Sequence, residues 1–145
     1  MASEKAPIRN YVAYLLAEAH RKLHLQLEQS LKAEGVQVEH WRILEILSDK
    51  KGRAMGDLAD LVLMNHPALT KMMDRMVANG LIHRALDPAD HRRVIVYSTD
   101  RGQQLFERLK ERVDSHNSDV SSMIGAKNMK TLKKLLNELI VEAPR

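Results

Sequence analysis

Two short stretches hold the side chains with most to offer a negatively charged partner. In the run from Asn65 to Val77, the apolar residues Leu69, Met72, Met73, Met76 and Val77 recur at helical spacing. At about 100° per residue, the opposite side of such a helix carries Pro67, Lys71, Asp74, Arg75 and Ala78, flanked by Ala68 and Thr70. An ammonium or imidazole can donate to guanine acceptors, and Thr or Ala can meet a thymine methyl. His66, Ala68, Thr70 and Lys71 are therefore candidates for base-edge and phosphate contacts, with Arg75 one turn further along. The plainer reading is an exposed helix of ordinary polarity.

The second stretch is Ala89-Asp90-His91-Arg92-Arg93-Val94-Ile95-Val96. It places Arg92 and Arg93 at the charged tip of a hairpin, with Asp90 close enough to orient Arg92. A guanidinium there suits a narrow minor groove, whose negative potential attracts it without fine sequence discrimination. An ordinary solvated hairpin tip is the competing account. Together the two stretches predict a chain that reads double-stranded DNA.

Bulk properties narrow the alternatives. The 145 residues suit one domain, and with 3% aromatics its core must be Leu, Ile, Val and Met. A net charge of +4 supports an acidic partner only where it is clustered. There is no cysteine, so disulfides, thiolate metal sites and cysteine redox sensing are excluded. No Gly-rich phosphate loop or nucleophile signature points to an enzyme, and no cofactor is expected. No segment approaches the roughly 20 apolar residues of a membrane span, and residues 1 to 7 have no apolar signal core, so a cytoplasmic location is expected. His20 and His24 stand four apart and could pair on a metal, but zinc usually wants four ligands. A half-exposed helix face suits them better, and no metal site is expected.

The elements that must position these residues follow from periodicity. Residues 9–34 read as one helix on Val12, Leu15, Leu16, Ala19, Leu23, Leu27 and Leu31, stopped by Gly35. A second helix runs over roughly 39–48, followed by a basic loop, Lys50-Lys51-Gly52-Arg53. Two short helices follow at Met55–Val62 and His66–Asn79, the latter capped by Asn65 with Pro67 in its first turn. Strands are predicted at Ile82–Leu86 and Arg93–Ser98, around a turn on Asp87-Pro88. Amphipathic helices then begin at Thr99-Asp100 and at Asn128. The fold class is mainly α with a small β-hairpin: a winged helix-turn-helix flanked by terminal helices, whose apolar stripes suit a two-fold homodimer and a palindromic operator.

From Val38 to Gly102 the chain resembles the MarR regulators, and the helical flanks extend the likeness over nearly its whole length. The matching pieces are His40-Trp41-Arg42-Ile43-Leu44, Leu58-Ala59, Thr70 to Met76, Asn79 to Arg84, Asp87 to Arg92 and Thr99-Asp100-Arg101-Gly102. The resemblance implies a single MarR-type domain over 1–145, with dimerisation helices at 9–34 and 103–145 and a DNA-binding lobe at 38–102. It implies a homodimeric, ligand-responsive transcription factor, usually a repressor, with the recognition helix at Asn65–Asn79 and a minor-groove contact from Arg92. Three residues depart from the pattern: Ala89 where Arg is common, Ser98 where Leu is frequent, and Gly56 inside a short helix.

The same resemblance places an effector where the terminal helices meet the DNA-binding lobe. Here that junction would draw on His20, His24, Trp41, Arg42, Leu44 and Phe106, although core packing is the simpler role for Trp41. The run Met64 to Lys71 is similar to the recognition segment of members that control hydroxycinnamate catabolism. That implies an aromatic effector, either the free acid or an aromatic acyl-CoA such as p-coumaroyl-CoA, with Arg42, Arg101 and Arg108 available to the CoA phosphates. The alternative is a winged-helix protein-interaction module without sequence-specific DNA binding. Lys71, Arg92 and Arg93 argue against it.

Overall fold

The computed structural model describes residues 7–144. Six helices and three strands follow in the order α1 (Val12–Leu31), α2 (Val38–Ile46), β1 (Arg53–Ala54), α3 (Met55–Val62), α4 (His66–Ala78), β2 (Ile82–Asp87), β3 (Asp90–Ser98), α5 (Asp100–Ile124) and α6 (Ala126–Glu142). The fold is a winged helix-turn-helix, as the residue pattern predicts. One apolar cluster joins α2, α3 and α4 to Val96 of the sheet and to Leu105, Phe106 and Leu109 of α5.

The first helix is shorter than the predicted span of 9–34 and coincides with the apolar stripe from Val12 to Leu31. Tyr11 is extended (φ −96°, ψ 124°), so a separate 3-10 turn at Pro7–Asn10 precedes the helix. A second 3-10 turn at Lys32–Glu34 ends on Gly35, whose φ of 71° makes it the left-handed stop. The α2 helix starts at Val38 rather than Glu39. There the Gln37 amide donates to His40 Nδ1 at 3.1 Å, which satisfies a donor that the helix start would otherwise leave free.

The predicted basic loop at Lys50–Arg53 hides a strand. β1 has two residues and pairs antiparallel with β3, Arg53 opposite Val96 and Ala54 opposite Ile95, giving the sheet order β1-β3-β2. Two residues are too few for alternation to show in sequence. Gly52, at φ 76°, brings the chain onto the sheet, and a Cβ there would stand 2.6 Å from Tyr97 Cε1.

The hairpin pairs β2 with β3 from Ile82 opposite Ser98 to Leu86 opposite Val94, with an irregularity before Asp87 meets Asp90. Pairing therefore reaches closer to the tip than predicted, and β3 begins at Asp90 rather than Arg93. The Asp87 carboxylate closes the tip by accepting from the Ala89 amide at 2.9 Å. Among the described residues, no helix is long and apolar enough to cross a membrane.

Candidate nucleic-acid interface

Asn65 fixes the start of α4: its Oδ1 accepts from the Ala68 amide at 2.9 Å. Leu69, Met72, Met73 and Met76 are buried beneath the helix, while His66, Thr70, Lys71, Asp74 and Arg75 are exposed and Ala68 is half-buried. The Thr70 hydroxyl donates to the His66 carbonyl at 2.9 Å. Its proton is thus turned inward, and it offers a groove a methyl group and lone pairs. Lys71 and Arg75 also border a cleft of about 520 Å³ shared with Glu28, Gln37 and Glu39. Those carboxylates moderate the positive charge on that side of the helix.

The wing separates its two arginines. Arg92 has 92% of its side chain exposed, and among the described residues only Asp90 restrains it, Nε to Oδ1 at 3.2 Å. The Arg92 amide and then its guanidinium hold the Asp90 carboxyl below its usual range. Arg93 is next in the strand and so points to the opposite face. There it meets Asp57 of α3 at 3.4 Å and Asp87 at 3.8 Å. The two arginines are grouped by sequence but differently committed in space.

A contact that spacing does not reveal joins α4 to the wing. Arg84 Nη1 of β2 lies 2.9 Å from Asp74 Oδ1 of α4. Asp74 stands on the same exposed face as Lys71 and Arg75, so the base of the wing adjoins that face directly. Ten residues separate the partners, a distance that no helical or strand period predicts.

The effector candidates do not converge as a set. Leu44 and Phe106 are buried inside the lobe's core, at 0% and 5% exposure, and Trp41 packs against the same cluster. The Trp41 indole N–H is buried without an acceptor among the described residues. Arg42 turns away toward α3 and donates to the Val62 carbonyl at 3.4 Å. His20 and His24 stack obliquely on α1, ring centroids 5.2 Å apart. The cleft beside α4 and another of about 670 Å³ along α1 are lined by none of these six residues. Among the described residues, no group of three or more His, Cys, Asp or Glu could hold a metal.

The terminal helices leave apolar surface uncovered. Of the 17 residues in α6 only Met129 is buried, while Leu132, Leu135, Leu139 and Ile140 stay exposed. Ile8, Tyr11, Val12, Leu15 and Leu16 are likewise exposed around the start of α1.

Comparison with known proteins agrees with this architecture. The model of the MarR family matches residues 34–93. The chain is 31% identical over 124 residues to the HTH-type transcriptional regulator FarR of Neisseria gonorrhoeae, covering 86% of this chain and 85% of that protein. It is 28% identical over 110 residues to the homoprotocatechuate degradative operon repressor of Escherichia coli, covering 76% and 74% respectively. Among solved structures it resembles NadR in complex with 4-hydroxyphenylacetate, with a TM-score of 0.78 at 29% identity over 89% of this chain and 92% of that one.

Proposed function

Because the chain belongs to the MarR family of regulators, we propose that it is a homodimeric transcriptional repressor that holds a palindromic operator and releases it on binding an aromatic effector. The observation that carries this reading is the joining of α4 to the wing. The polar face of the helix, with Lys71 and Arg75, lies beside the strand that leads to the exposed guanidinium of Arg92. That layout supports a helix in the major groove with a cation in the adjacent minor groove. His66, Ala68, Thr70, Lys71 and Arg75 are the proposed groove-facing residues of α4. Arg92 is the proposed minor-groove contact, with Arg93 bracing the wing behind it.

The uncovered apolar faces of α6 and of the start of α1 support the dimer, since a second copy would remove them from water. The effector class is supported by two relatives, a repressor of a homoprotocatechuate degradative operon and a regulator crystallised with 4-hydroxyphenylacetate. Within this chain, the unsatisfied indole N–H of Trp41 is the polar handle such a ligand would meet, with Leu44 and Phe106 as the apolar wall behind it. Arg101 is exposed and could meet the phosphates of an aromatic acyl-CoA, whereas Arg108 is paired with Glu34 at 3.1 Å. Release requires the ligand to bind the DNA-incompetent state more tightly than the competent one.

The test is fluorescence anisotropy of labelled DNA from upstream of the protein's own gene. The complex is titrated with p-coumaroyl-CoA, p-coumarate, free CoA and 4-hydroxyphenylacetate. Release by an aromatic acid or its thioester, but not by CoA, is the expected result. Equal affinity for this DNA and a scrambled duplex would overturn the regulator reading.

A further inference from the structure

We propose that Arg84 contacts a DNA phosphate, on the strand that passes between the groove read by α4 and the groove entered by the wing tip, and that Asp74 holds it there. The proposal rests on the DNA-binding reading above. With α4 in the major groove and Arg92 in the neighbouring minor groove, one sugar–phosphate strand must cross the gap between helix and wing. Arg84 stands in that gap. It is anchored in β2 opposite Val96, and its guanidinium reaches across to Asp74 on the exposed face of α4 at 2.9 Å. The side chain is 37% exposed, and Asp74 is 59% exposed.

A guanidinium has five N–H donors in a rigid fork, and Asp74 engages one of its nitrogens, so the fork can still donate to a phosphate oxygen. A single carboxylate near the surface attracts weakly against water, so it aims Arg84 without withdrawing it from a phosphate. Arg93 contrasts with it, facing two carboxylates from two elements. Contacts of this kind fix where a protein sits on the duplex and carry no sequence information directly.

Anisotropy titrations over a salt series test the proposal, using the labelled upstream duplex and a scrambled one. Arg84→Ala and Arg84→Gln should each lower the magnitude of the slope of log K against log salt by about 0.9, the share of one phosphate on B-DNA. Both should weaken binding to the two duplexes by the same factor, with melting temperatures unchanged. Arg84→Lys should keep the wild-type slope. A wild-type slope in Arg84→Gln would overturn the proposal, as would a loss of preference between the duplexes. Should Arg84→Ala melt early, the comparison of Gln with Lys decides. A wild-type protein with no salt dependence would instead overturn the DNA reading itself.

Discussion

Thr99 Oγ1 donates to the carbonyl of Gly80 across 2.6 Å, so the residue that starts the long α5 helix is tied to the turn that closes α4. The same oxygen accepts from the Gly102 amide at 3.0 Å, and the Thr99 amide donates to the Leu81 carbonyl at 3.1 Å. The orientation of α4 is thereby coupled to α5. Thr99→Val keeps the shape of the side chain but removes the cap and leaves the Gly80 carbonyl without its donor. A loss of about 1–2 kcal/mol is expected. Urea denaturation should show a lower midpoint with an unchanged m value, whereas an unchanged midpoint would show that the hydroxyl ties nothing.

Two helical glycines should respond oppositely to alanine. Gly56 in α3 is exposed, and a Cβ there would touch nothing within 4 Å. Gly56→Ala should stabilise the protein by up to about 1 kcal/mol through chain entropy alone. Gly102 is buried at the start of α5, where a Cβ would collide with the Leu81 carbonyl oxygen. Backbone cannot yield as a side chain can, so Gly102→Ala should cost on the order of 1–3 kcal/mol. Thermal melts of the two variants should move in opposite directions.

What could be read from the sequence was whatever repeats within one element. The face of α4, its Asn65 cap, the Gly35 stop and the Thr99-Asp100 start all follow from local periodicity and capping, and all are present. Contacts between elements left no such trace. The β1 strand is too short to alternate, the Asp74–Arg84 pair spans two elements, and Arg93 is bound to Asp57, 36 residues earlier. The effector candidates share no such period. Leu44 and Arg42 lie two positions apart on one helix, about 200° around its axis, so Leu44 enters the core while Arg42 turns to α3.

His40 should make stability depend on pH. Burial pushes its pKa below the ordinary 6.5; Arg75 acts in the same direction and Glu39 opposes. A folded-state pKa below the unfolded one means that the unfolded chain binds the proton first. The associated stability is full above about pH 6.5 and is lost as the pH falls through that value toward the folded pKa. Protonation also removes the Nδ1 lone pair that accepts the Gln37 amide. His40→Gln can still accept at this position, so its melting temperature should fall less than that of the wild type on going from roughly pH 7.5 to pH 5. Parallel curves would show that His40 carries no part of the acid sensitivity.

The wing arginines should separate in DNA titrations. Arg92 is free apart from Asp90, so Arg92→Ala should remove about 0.9 from the magnitude of the salt slope and weaken all duplexes alike. Arg93 faces Asp57 and Asp87, and its loss should change the slope markedly less, while loosening the wing's hold on α3. Equal slope changes in both variants would mean that Arg93 leaves its carboxylates when DNA binds.

The terminal helices give the last prediction. α6 exposes Leu135, Leu139, Ile140 and Val141 at 55%, 45%, 71% and 80%, and α1 begins between Tyr11 at 67% and Leu15 at 44%. Exposed apolar surface is costly in water, at about 25 cal/mol for each Å² that a partner would cover. Sedimentation should therefore find a dimer at micromolar concentration. Leu135→Glu and Ile140→Glu would place carboxylates in the covered face and should shift the protein toward monomer. DNA binding should weaken in the same variants, because one protomer reaches only half of a palindromic site. A wild-type monomer that still binds a palindrome with full affinity would break the link between these helices and operator recognition.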